Sequence, residues 1–291
     1  MADQATRLRQ LVDDQKETPP ARMPGGARVI AITSGKGGVG KTNLTVNLAV
    51  ALSQRGQRVL IIDADLGMAN VDVVLGSRAA HTLSDLLQPQ VQLTDIIVQG
   101  PYGVNYISGG SGIEKALSIA QAGRQQLMQK LAACSSLADV ILVDTGAGLG
   151  HTVMDFILAA DEVLLVTTPE PTSLTDAYAV MKAYSMYAQQ ANMQLIINRV
   201  YDVEESSEVA GKLTQTAQRF LNIDISCLGY IFDDHMVRKS VRRQIPFMVA
   251  APDSMAAQCV KALADSLLYG RAMSVKRGWR GFLQQIFQFS R

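Results

Sequence analysis

One stretch constrains this chain more than any other: Val29-Ile30-Ala31-Ile32-Thr33-Ser34-Gly35-Lys36-Gly37-Gly38-Val39-Gly40-Lys41-Thr42. It reads as a buried strand, a glycine-rich turn and a helix start, and Gly35 to Thr42 fits the phosphate-loop pattern G-x-x-x-x-G-K-[ST]. Glycines at 35, 37, 38 and 40 let backbone N–H groups turn inward and approach phosphate oxygens closely. The helix that starts at Lys41 adds the positive end of its dipole, with Val39 and Asn43 flanking the same cradle. Lys41 is expected on the β- and γ-phosphates and the Thr42 hydroxyl on Mg²⁺. A glycine turn without a ligand is the competing reading. The unbroken match between an apolar strand and a helix weighs against it.

The rest of the chain repeats the strand-then-helix rhythm. Continuous Val/Ile/Leu runs at Val29–Thr33, Val59–Asp63, Val104–Ser108, Val140–Asp144, Val163–Thr168, Gln194–Arg199 and Leu228–Phe232 suit strands buried on both faces. Helical stretches fall between them at about 41–55, 113–133, 150–160, 172–190, 205–222 and 253–270. This alternation predicts an α/β fold: a mainly parallel, twisted sheet with helices on both faces. Ligands then bind at the carboxyl ends of the strands.

Acidic residues sit at such ends. Asp63 closes one strand and Asp65 opens the loop after it, in Asp63-Ala64-Asp65-Leu66-Gly67-Met68-Ala69-Asn70-Val71-Asp72. Their period-two spacing puts both on one side. Beside a triphosphate, one can order a metal-bound water and the other can orient the attacking water. The same residue types also suit a plain acidic turn. Asp144 ends a later strand in Val143-Asp144-Thr145-Gly146-Ala147-Gly148, and Asn198-Arg199-Val200-Tyr201 ends another. Guanine-specific GTPases carry N-K-x-D at such an end. Here the fourth residue is Tyr201, so the expected nucleotide is ATP.

Composition narrows the classes further. A net charge of +1 argues against wholesale nucleic-acid binding. Cys134, Cys227 and Cys259 lie far apart without a CxxC, and read as buried thiols in a reducing, cytoplasmic setting. The start of the chain lacks an apolar signal region, and no apolar run nears the roughly 18 residues needed to span a bilayer. Residues 2–13 form one short amphipathic pattern with Leu8, Leu11 and Val12 on one side, before a linker rich in proline and glycine up to Gly26. Near the other end, Trp279, Phe282, Leu283, Ile286 and Phe287 fall at i, i+3, i+4, i+7 and i+8. With Lys276, Arg277 and Arg280 beside them, they read as a helix lying in a membrane surface, or as a helix docked on the body.

The run Lys36-Gly37-Gly38-Val39-Gly40-Lys41-Thr42 resembles the deviant phosphate loop of the MinD/ParA class of ATPases, and the likeness runs from about Arg28 to Leu268. It implies a dimer with ATP in which Lys36 reaches the partner's nucleotide, Asp65 activates water, and Asp63 and Asp144 lie around Mg²⁺ with Thr42. It also implies that Asn198 and Arg199 sit at the adenine, and that the segment Thr168–Thr172 with Asp176 faces partners. Gly146 stands where many members of this family carry proline. The start Asp3-Gln4-Ala5, with Leu8-Arg9, the Asn43 that follows the loop and the run Asp144-Thr145-Gly146-Ala147-Gly148 resemble the flagellar-number regulator branch, called FlhG or FleN. That branch implies that Gln4 enters the active site of the signal-recognition-type GTPase FlhF. It also implies contacts with flagellar switch-complex proteins and, in some members, a flagellar transcription activator. Division-site placement of the MinD type and DNA segregation of the ParA type remain the alternatives. The expected organisation is a helix and linker at 1–26, an ATPase domain at 27–271 and an amphipathic helix at 272–291, which would take the dimer to an anionic membrane's inner face.

Overall fold

The computed structural model describes residues 26–65, 70–109, 121–188, 192–270 and 278–289. Gln4 and the N-terminal segment lie outside them. Eight strands form one sheet: β1 (Arg28–Ser34), β2 (Val59–Ala64), β3 (Ile97–Gln99), β4 (Val104–Ser108), β5 (Val140–Ala147), β6 (Glu162–Thr167), β7 (Met193–Val200) and β8 (Ser226–Phe232). Their order is β3-β4-β2-β5-β1-β6-β7-β8, and every pairing is parallel except β3 with β4. The expected fold class is therefore observed. The three-residue antiparallel β3 was not expected from the sequence.

The continuous apolar runs are explained by two cores, one on each face. On β1, Val29 and Ala31 enter one core while Ile30 and Ile32 enter the other. On β5, Ile141 and Val143 alternate with Val140 and Leu142 in the same way. The first face is covered by α1 (Lys41–Ser53), α2 (Val71–Leu75) and, later in the chain, the helix Met255–Tyr269. The second face is covered by α3 (Gln121–Ala132), α4 (His151–Ala159), α5 (Pro171–Tyr187) and α6 (Val203–Leu221). After α6 come α7 (His235–Arg242), α8 (Met255–Tyr269) and α9 (Gly278–Phe289).

The amphipathic helix expected near the end is α9, and its apolar side lies against the second face. Trp279, Phe282, Leu283 and Ile286 are buried and Phe287 is partly buried, in a groove lined by Ile62, Leu83, Leu127, Leu131 and Phe156. Phe282 stacks between Phe156 and Trp279, with ring centroids 6.0 and 5.1 Å away. The membrane-facing assignment of these five residues therefore describes a surface that is covered in this structure. Of the two readings of the spacing, the docked helix is what the described residues adopt, because the groove already offers the apolar contact that a bilayer would. The seat also has a polar clasp. Asp161 accepts from the N–H of Gly278 and from that of Val29, each at 2.9 Å, and the Trp279 indole N–H donates to the Leu131 carbonyl. Among the described residues no helix is long and apolar enough to cross a membrane. The cysteine expectation is corrected at two positions: Cys134 is buried, but Cys227 is exposed on the edge strand β8 and Cys259 is only partly buried.

Candidate active site

β1 leads straight into the phosphate loop, and α1 leads out of it. Gly38 and Gly40 take left-handed φ angles of 79° and 99°, which turn successive N–H groups toward a common centre. Close packing fixes the loop's outer wall. A Cβ at Gly35 would lie 2.2 Å from the Asp176 carbonyl of α5, so only glycine lets the loop touch that helix. At Gly40 a Cβ would lie 2.5 Å from the Asn198 side chain.

Three neighbouring strands bring the charged residues together. Asp144 pairs in register with Ile32 on one side and Asp63 on the other. Lys41, only 7% exposed, starts α1 beside them. Burial lowers the Lys41 pKa, while the charges of Asp144 and Asp65 act to raise it. Burial pushes the Asp144 carboxyl up to about 6; the Thr42 hydroxyl, Lys41 and the Thr45 hydroxyl oppose that shift. Thr45 donates to Asp144 Oδ1 at 3.0 Å, whereas the buried Oδ2 has no hydrogen-bond partner among the described residues. An orphaned, buried carboxylate oxygen facing a threonine hydroxyl fits a hydrated divalent cation, so Thr42 and Asp144 suit Mg²⁺. Bound there, Mg²⁺ would neutralise phosphate charge.

Asp63 is built differently. Burial and the nearby Asp144 charge push it up to about 7. Its Oδ2 accepts from the N–H groups of Asn70 and Val71 at 2.9 and 3.1 Å, and its Oδ1 from that of Asp65 at 3.2 Å. It thus holds both ends of the Asp65 loop, a role that its expected place near the metal did not include. Asp65 itself is half-buried, and its Oδ1 lies 3.7 Å from where a Cβ at Gly146 would be. The loop after β2 and the end of β5 therefore meet at a glycine. Gly148 closes the arrangement by donating its N–H to the Ser34 carbonyl at 2.9 Å.

Lys36 lies outside this cluster. Its Nζ donates to Thr172 Oγ1 at 2.9 Å and to Glu170 at 3.2 Å, at the start of α5. Asn198 and Arg199, expected at the base, grip the loop: Asn198 donates to the Val39 carbonyl at 2.7 Å and Arg199 to the Gly38 carbonyl at 2.9 Å. Arg199 adopts a left-handed φ of 60°, held in place as its N–H donates to Asn198 Oδ1. Both also line a wide cleft that opens beyond Gly40 and Asn43, bounded by Tyr201, Phe232 and α7. A base extending from a phosphate in the loop has this cleft to enter. Sequence reasoning missed Thr45 and Asp161. Thr45 was signalled by its place four residues after Lys41, on the helix face that Thr42 shares. Asp161 had no local signal.

The model of the ParA family described as NUBPL iron-transfer P-loop NTPase matches residues 26–268. The chain belongs to the ParA/MinD family of P-loop ATPases. It is 41% identical to the antiactivator FleN of Pseudomonas aeruginosa over 240 residues, covering 82% of this chain and 86% of that protein. It is 34% identical to the flagellum site-determining protein YlxH of Helicobacter pylori over 296 residues, covering 99% of each. Among solved structures, it resembles the septum site-determining protein MinD of Pyrococcus horikoshii complexed with Mg-ADP. The TM-score is 0.65 at 30% identity, over 83% of this chain and 96% of that one. The P-loop NTPase family binds nucleotide, and the likeness of this chain to its ATPase members is consistent with ATP hydrolysis.

Proposed function

We propose that this ATPase is a dimerising, slow-turnover switch that sets flagellar number and placement. One observation carries the dimer: Lys36 sits at the rim, its amine bound among the described residues only to the exposed Glu170–Thr172 pair and turned away from its own loop's buried cluster. An exposed ion pair of this kind is worth about 0–1 kcal/mol, so a partner's phosphates can outcompete it. Within each protomer, Lys41 then holds the β- and γ-phosphates and Asp65 orients the attacking water. Asn198 and Arg199 keep the loop closed beneath the nucleotide. The cofactor is Mg²⁺, near Thr42 and Asp144.

The flagellar assignment is supported by the likeness to FleN and to YlxH, the latter over 99% of both chains. On that reading Gln4 is offered to the GTPase FlhF, a flagellar transcription activator is a further partner, and flagellar switch-complex proteins are cargo. The α9 face becomes a membrane anchor once it leaves its groove. Lys276, Arg277 and Arg280 add roughly 1 kcal/mol each on an anionic surface, and two tails per dimer raise avidity. Attachment to the inner face of the cell membrane is then confined to the ATP dimer. Size-exclusion chromatography with a slowly hydrolysed ATP analogue tests the switch. The intact chain is expected to dimerise, and Lys36→Ala to bind nucleotide yet stay monomeric. A Lys36→Ala dimer of normal stability would falsify the cross-subunit role. Counting flagella on cells lacking the protein tests the assignment, and an unchanged number would refute it.

A further inference from the structure

The cleft beyond Gly40 contains four carboxylates: Glu170, Glu205, Asp233 and Asp234. Three are committed elsewhere. Glu170 is paired with Lys36 and Asp233 with Arg238 at 3.1 Å. Asp234 accepts from the N–H of Met236 at 2.8 Å and from that of Ala256 at 3.3 Å, starting two helices at once. Glu205 differs. It is half-buried in the first turn of α6, and its Oε2 accepts the Tyr201 N–H at 2.8 Å. Its own N–H donates to Asp202 Oδ1 at 2.8 Å, which fixes where the side chain starts. Its Oε1 accepts no hydrogen bond among the described residues.

We infer that Glu205 Oε1 accepts a hydrogen bond from the exocyclic amine of the adenine base and so sets the nucleotide preference. This rests on the reading of ATP as the substrate. In an adenine nucleotide the amine is the base's only N–H donor, so a free carboxylate oxygen has one partner to find there. Guanine presents a carbonyl oxygen at that position, which a carboxylate repels. The strand end itself offers no acid, because Tyr201 stands where a guanine reader would be. The carboxylate comes instead from α6, tethered to Tyr201 through the backbone. The acceptor atom of Asn198, its Oδ1, is already engaged by the Arg199 N–H at 3.0 Å.

The test is calorimetric titration with ADP, GDP and purine riboside diphosphate, which lacks the amine. The intact chain is expected to bind ADP about tenfold or more tightly than the amine-free analogue. Glu205→Ala is expected to bring that ratio close to one. Glu205→Gln keeps the shape and can donate to a guanine oxygen, so it is expected to narrow the gap between ADP and GDP. A merely structural Glu205 would weaken all three nucleotides together and leave the ratios unchanged, which overturns the inference. Equal binding of ADP and the analogue by the intact chain overturns it without any variant. Failure to bind any of the three would instead overturn the ATP reading, and this inference with it.

Discussion

The loop end of the sheet and the groove under α9 are both buried, yet they are stabilised in opposite ways. At the loop end, Lys41, Asp63 and Asp144 are held against their own preferences: burial depresses the lysine's pKa and raises those of both carboxylates. Asp144 even keeps an oxygen without a partner among the described residues. Under α9 almost everything is satisfied from within the chain. Four large side chains are buried, at about 1.5–3 kcal/mol each as an upper range, and the helix start is clasped by Asp161. The first region is unfinished until a ligand arrives, and the second is already complete. A signal linking them must therefore be a difference in free energy large enough to open the finished one.

Variants that damage one region and spare the other break this contrast most directly. Lys41→Ala should weaken ADP binding on the order of 100-fold or more, because charge-assisted contacts are lost. Trp279 is the chain's only tryptophan, so its emission reports the α9 seat alone, and it should not shift in this variant. Asp65→Asn should keep ADP binding while phosphate release falls about 10²–10⁴-fold. Phe282→Ala removes a ring between Phe156 and Trp279 and should cost about 3–5 kcal/mol of seat stability. A red-shifted Trp279 emission with ADP affinity intact is the expected result. Loss of ADP binding instead would mean the two regions are not separable.

The contrast also has a pH signature. Asp63 rises from 3.8 to about 7 and Asp144 from 3.8 to about 6, both through burial first. The folded chain thus holds more protons than the unfolded chain between about pH 4 and 7, and its stability falls as pH rises through that window. Thermal melts of the nucleotide-free chain should show the fall, and Asp144→Asn should flatten it. The smallest effect belongs to Asp161→Ala. It leaves the Gly278 and Val29 N–H groups without that acceptor and should cost about 1–3 kcal/mol, read as faster exchange at those two amides. Unchanged exchange would show that the clasp does not hold the helix.

What could be read in advance follows the same division. The loop is contiguous, so its glycines, Lys41 and Thr42 specify their own geometry within eight residues. Asp63 and Asp144 were legible because strand ends are where such sheets bind ligands. The apolar face of α9 was legible from its spacing, but its occupant was not. Leu83, Leu127, Leu131 and Phe156 make the groove from separate elements, and nothing local announces that they converge. The dual duty of Asn198 and Arg199 was hidden for the same reason, since it depends on carbonyls some 160 positions earlier in the chain. Helix α7 escaped notice because it is short and carries Arg238, Lys239 and Arg242, although Asp234 marks its start.

Asp161 leaves one consequence of a mechanical kind. Its two oxygens join the second amide of β1 to the amide that begins α9, two points 249 positions apart, reckoned as 278 − 29. The two ends of the described fold are thus riveted together, with the Trp279 N–H donating to the Ala27 carbonyl at 3.2 Å beside that carboxylate. Tension applied to either end therefore reaches the other through this joint as well as through the strands between them.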